Sequence, residues 1–169
     1  MPITTTLGHV SRAKDFFNKE KIFFAFGRQT PWEDEDIPDA PSVEMADMEE
    51  PLGFKAVENK YMVVPDDENG TILYRDSRWR IVPFDKTLEE KSRWVYIECN
   101  IHYDELPLLT YRQIGVYSGL EHAEDVPVGK TALLPEEVKG TGILEFVDNR
   151  RRVTRQADQR EHFSIIIEF

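Results

Sequence analysis

Four histidines, a single cysteine and an excess of carboxylates are the residues of this 169-residue chain whose types can do chemistry. His9, His102, His122 and His162 share no short spacing, and neither a His-Glu-x-x-His run nor a cysteine-rich zinc pattern is present. They read as structural or solvent-facing side chains rather than metal ligands. Cys99 falls on the apolar side of an alternating stretch, so it reads as a small buried hydrophobe before it reads as a nucleophile. Carboxylates stand side by side in Asp66-Asp67 and Glu136-Glu137. Glycosidase-type chemistry needs two of them across a cleft, and adjacency in an acidic chain does not provide that. There is no Gly-x-Ser-x-Gly elbow, phosphate-binding loop or dinucleotide fingerprint. The sequence therefore assigns no catalytic residue, no cofactor and no metal, and it points away from an enzyme.

Charge is organised more sharply than chemistry. From Gln29 to Gly53 there is no Lys or Arg, while Glu33, Asp34, Glu35, Asp36, Asp39, Glu44, Asp47, Glu49 and Glu50 supply nine carboxylates. No Asp-x-Asp-x-Asp-Gly loop orders them for calcium, so the plain reading is a solvated, self-repelling arm that is extended, surface-lying or partly mobile. Trp32, Ile37, Val43, Met45 and Met48 are the apolar residues able to dock it on this subunit or a neighbour. Trp32, directly after Pro31 in a polar stretch, has the setting of an anchor that fills a pocket. The opposite sign gathers in Arg150-Arg151-Arg152, with Arg155 and Arg160 nearby. The plain reading is a solvated hairpin turn; the functional one is a socket for an acidic surface, including the acidic arm of an adjoining subunit.

The elements that must position these groups are mostly strands. Ser11 to Glu20 has helical spacing with Ser11 as N-cap, and Lys21 to Phe26 is a dense apolar run too short for a helix. Tyr61 to Val64 and Thr71 to Arg75 predict a hairpin across Asn69-Gly70, with Arg78 to Val82 as a third strand. Trp94 to Tyr103 and Tyr111 to Leu120 alternate as strands, and Pro135 to Lys139 suits one helical turn. Gly142 to Val147 and Val153 to Arg155 predict a hairpin turning at Asp148-Asn149, and Phe163 to Phe169 closes the chain as a strand. About eight strands and one helix predict a mainly β fold, an antiparallel β-sandwich or barrel. The divisions are 1–28 (helix and first strand), 29–53 (acidic arm) and 54–169 (β body), within a single domain. The formal net charge of −11 argues against nucleic acid and against an anionic membrane surface. No run approaches the ~20 apolar residues of a membrane span. The N-terminus lacks a signal-peptide pattern, and one cysteine suits a reducing compartment.

Three stretches together carry a family resemblance. They are Ile22-Phe23-Phe24-Ala25-Phe26-Gly27-Arg28-Gln29-Thr30-Pro31-Trp32, then Tyr111-Arg112-Gln113-Ile114-Gly115-Val116, then the C-terminal pair. That pair is Gly142 to Arg150, in which Asp148-Asn149-Arg150 stands at the family's Glu-Asn-Arg position, followed by Glu161 to Phe169. In this order the chain resembles the baseplate wedge subunit of T-even-type contractile-tailed bacteriophages. The resemblance implies a β-sandwich virion protein that dimerises, bridges other wedge subunits and rearranges when the sheath contracts. It also implies assembly in the host cytoplasm. The chain is shorter than that pattern, having only the stretch around Phe54 to Trp94 where a second β domain is inserted. Arg28, Pro31, Trp32, Ile37, Asn149, Arg150, Arg151, Arg152 and Arg155 are accordingly the expected partner-contact residues. The rival reading is a small β-sandwich module for carbohydrate or a host receptor, presenting Trp94, Tyr96 and Tyr117. A hydrolase with a dispersed site is a third.

Overall fold

The computed structural model describes residues 1–169 and divides the chain into two compact units. In chain order the elements are α1 (Thr6–Phe17), β1 (Phe23–Gly27), β2 (Pro51–Ala56), β3 (Asn59–Pro65), β4 (Ile72–Tyr74) and β5 (Ser77–Val82). They continue with β6 (Trp94–Ile101), β7 (Thr110–Ser118), β8 (Glu121–His122), β9 (Ala132–Leu133), β10 (Val138–Gly140), β11 (Ile143–Thr154) and β12 (Glu161–Glu168). The expected class is borne out: mainly β and antiparallel, with one short helix near the N-terminus.

The first unit comprises Met1–Lys19, Glu58–Glu98 and Phe163–Phe169. Its helix starts five residues before the expected Ser11, because Thr5 is the cap: it is extended, and its hydroxyl accepts from the Gly8 amide at 3.1 Å. Val10, Ala13 and Phe16 then form the buried stripe. The sheet order is β12-β6-β3-β5-β4. Tyr61 to Val64 therefore does not pair with Thr71 to Arg75, as the sequence predicts; β3 lies between β5 and β6. The Asp66 carboxylate accepts the amides of Glu68 and Asn69, which curls residues 66–70 into a loop. The tight hairpin is instead β4–β5, turning at Arg75 and Asp76 with φ of 47° and 64°.

The second unit comprises Glu20–Val57 and Cys99–His162. Its five-stranded sheet runs β11-β7-β1-β2-β9. The apolar run before Gly27 is the buried strand it promises to be: β1 pairs on both sides, and all five of its residues are buried. β7, next to it, is buried at every position but Thr110. The expected hairpin at Asp148-Asn149 does not form. β11 runs straight through these residues for 12 positions against β7. A bulge between Asn149 and Val153 sets Arg150, Arg151 and Arg152 opposite the single residue Arg112. A bulge lets extra, like-charged residues leave the ladder without ending the strand. The core of this unit gathers Phe23, Ala25, Phe54, Tyr117, Leu120 and Leu133, and with them Met48 from the acidic segment.

Candidate functional site

Residues 28–50 form a loop tied shut at its neck and fastened to its own sheet. Arg28 leaves β1 with φ of 62°, and its amide donates to the Glu50 carbonyl at 3.1 Å. The Thr30 amide and hydroxyl donate to the Glu50 carboxylate at 3.0 and 2.6 Å. Those bonds, led by the hydroxyl, hold the Glu50 carboxyl below the usual carboxylate range. The Arg28 guanidinium pairs with Glu49 and lies 3.8 Å from the centre of the Trp32 ring. Trp32 is 4% exposed, and its indole Nε1 donates to the Arg150 carbonyl in the bulge at 2.7 Å.

The acidic residues then meet the sheet in sequence. Arg112 Nε lies 2.9 Å from both carboxylate oxygens of Glu35, Nη2 adds a further bond, and Nη1 donates to the Gln29 carbonyl. Hydrogen bonding by the Arg112 side chain lowers the Glu35 pKa, and the charge of Arg152 acts in the same direction. Arg151 Nε donates to the Asp36 carbonyl at 3.2 Å, with a guanidinium nitrogen 3.8 Å from the Asp36 carboxylate. Asn149 donates to the Asp39 carbonyl at 2.8 Å and accepts from Gln113 at 2.7 Å, while Gln113 accepts the Glu49 amide at 3.1 Å. At the far end the Tyr117 hydroxyl accepts the Met48 amide at 2.9 Å and donates to Asp47. Burial pushes the Tyr117 phenol well above its ordinary range. Met48, 6% exposed, sits over Gly115, where an added Cβ would overlap its sulfur.

This placement corrects the mobile arm expected from composition. The segment has neither helix nor strand, yet its indole, its backbone carbonyls and three carboxylates (Glu35, Asp36 and Asp47) find partners on β7 and β11 of the same chain. Trp32 is buried in that internal lock, and the half-buried Asn149 is hydrogen-bonded within it. Arg155 is also internal: it is 5% exposed, and its guanidinium donates to the carbonyls of Leu106, Pro107 and His102 at 2.6, 3.2 and 3.2 Å. Glu161 stands 3.4 Å from it. Arg28 is occupied by Glu49 and Trp32, and Arg150 by Asp148 at 2.7 Å. Pro31, Ile37, Arg151 and Arg152 remain exposed. The sequence reading missed Arg112, Gln113 and Tyr117 as the loop's seats. One clue was available: a cation inside an otherwise apolar strand needs a carboxylate, and Gln29 to Gly53 holds nine.

Trp94, Tyr96 and Tyr117, the residues a glycan-binding reading would present, do not form an exposed face. Tyr96 and Tyr117 are buried, and Trp94 is half-buried under the Arg93 guanidinium. Burial pushes the Tyr96 phenol up to about 12, and its hydroxyl donates to Glu98 at 2.6 Å. No three or more His, Cys, Asp or Glu side chains are grouped so as to hold a metal ion, and no helix is long and apolar enough to cross a membrane.

A mainly β chain whose notable surface is a locked acidic loop beside an arginine bulge has the features of a structural, contact-making protein. Residues 1–169 match the family described as baseplate wedge 3 tail fiber network component, and the chain belongs to that family. It is similar to Virion protein 3 of Enterococcus phage phiEF24C, with 32% identity over 176 residues that cover 99% of this chain and 96% of the relative. It is thus a structural virion protein of the tail baseplate.

Proposed function

We propose that this protein works without catalysis, bridging neighbouring subunits of the baseplate wedge by protein–protein contact and holding them while the wedge rearranges during tail contraction. The observation that carries this reading is the exposed pair Arg151 and Arg152, displayed on the bulge beside a loop that is already ordered. A loop fastened before association loses little conformational entropy on binding, so its contacts contribute more of their energy to affinity. The cations fix register against an acidic patch of a neighbour, either another wedge subunit or a second copy.

The test is the paired charge reversal Arg151→Glu and Arg152→Glu, with assembly followed by mass-resolved size exclusion against the purified wedge proteins. The double variant also gives up the Arg151–Asp36 contacts of the loop, so Asp36→Ala, which removes that ion pair alone, is the control. The double variant is expected to lose its place in the wedge complex and the control to keep it. Unchanged assembly would overturn the reading.

A further inference from the structure

The locked loop does not lie flat. Between Val43 and Met45 on its outer limb and Leu144, Phe146 and Val147 of β11 there is a crevice of about 310 Å³. Glu145 is the charged residue among those lining it. Val43 is 97% exposed and Ile37 is 70% exposed, so the loop holds two large aliphatic side chains out in water while burying Trp32 and Met48. A tied loop that displays aliphatic residues beside a concave surface of mixed polarity, lined by Leu144, Phe146 and Val147 as well as Ser42 and Glu145, has the form of an incomplete interface.

From this we infer that the crevice receives an extended, lysine- or arginine-bearing aliphatic segment of a different baseplate protein. Charge selects that occupant. No Lys or Arg occurs from Gln29 to Gly53, and no cation lines the crevice. Asp39 and Glu44, on the same loop as the lining residues Pro41 to Met45, are exposed and make no ion pair. A second copy offering its own acidic loop would be repelled here. The lining selects the extended form: the crevice follows four consecutive residues of a strand at the end of its sheet, so an extended segment can run alongside them. The inference rests on the bridging reading and adds the partner's chemistry to it.

The test uses phage particles containing the full chain, with Val43 replaced by the photo-crosslinker p-benzoylphenylalanine and the exposed Leu73 replaced in a control. The expected result is a cross-link at position 43, absent at 73, to a peptide of another baseplate protein that has Lys or Arg flanking aliphatic residues. Asp39→Lys with Glu44→Lys should reduce it by roughly fivefold, the equivalent of losing two rim charge pairs. If particles contain the protein but position 43 cross-links to nothing, to a second copy, or to an acidic segment, the inference is overturned and bridging stands. A protein absent from the particles would instead overturn the bridging reading itself.

Discussion

At the residue scale, Trp32 combines three roles in one side chain: it fills a pocket, supports the Arg28 guanidinium and satisfies the Arg150 carbonyl. These separate by mutation. Trp32→Phe keeps most of the packing and removes the indole donor, with an expected loss of about 1–2 kcal/mol. Trp32→Ala also empties the pocket and should cost about 3–5 kcal/mol. Urea unfolding reads both: an unchanged Trp32→Phe would show that the hydrogen bond contributes nothing, and equal losses that the packing adds nothing to it. Gly115 and Gly27 matter for close approach rather than flexibility. At Gly27 a Cβ would stand 2.8 Å from the Glu49 carbonyl, and at Gly115 it would overlap Met48. Gly115→Ala should therefore lift Met48 and destabilise by about 1–3 kcal/mol, with hydrogen exchange rising first in residues 45–50. The types of Trp32 and Cys99 were legible in sequence as anchor and core, but which pocket Trp32 fills was not.

At the element scale, the loop is held by charge as well as packing, so its docking depends on pH. Glu35 and Glu50 both have pKa values lowered from 4.5 by hydrogen bonds that only the docked loop offers. A group depressed in the folded state stabilises it fully above its unfolded pKa, and that contribution is lost as pH falls through the folded value. The loop should thus stay protected at neutral pH and open progressively below pH 4.5, the ordinary value for both groups. Limited proteolysis within residues 33–46 over a descending pH series measures this. Glu35→Gln should weaken the dependence, and cleavage that ignores pH would refute it. The strands were read well where one face is apolar, as in β1, β6 and β7. They were read poorly where polar residues mimic turns: Asp148-Asn149 looks like a hairpin tip, yet β7 offers a ladder that outweighs local turn preference.

At the scale of the whole molecule, a net charge of −11 coexists with an exposed cationic pair, Arg151 and Arg152, on an edge strand. Charge on an edge also discourages indiscriminate strand pairing. Wedge assembly should accordingly weaken as ionic strength rises, because ion pairs between solvent-exposed groups are weakened by salt. Titrating the assembled complex with salt measures this. The milder Arg151→Gln, Arg152→Gln variant, which removes the charges without reversing them, should show a shallower response, and an identical slope would place the salt-sensitive contact elsewhere.

The sequence by itself determined the mainly β class, the buried first strand, the buried cysteine and the family, because periodicity and ordered blocks are local properties of a chain. Only the tertiary structure decided that the acidic segment is a lock on its own sheet. Trp32 meets Arg150 across 118 residues and Glu35 meets Arg112 across 77. Composition shows that such a stretch cannot build a core, but it cannot show that a bulge and a buried arginine elsewhere in the chain supply the partners that order it.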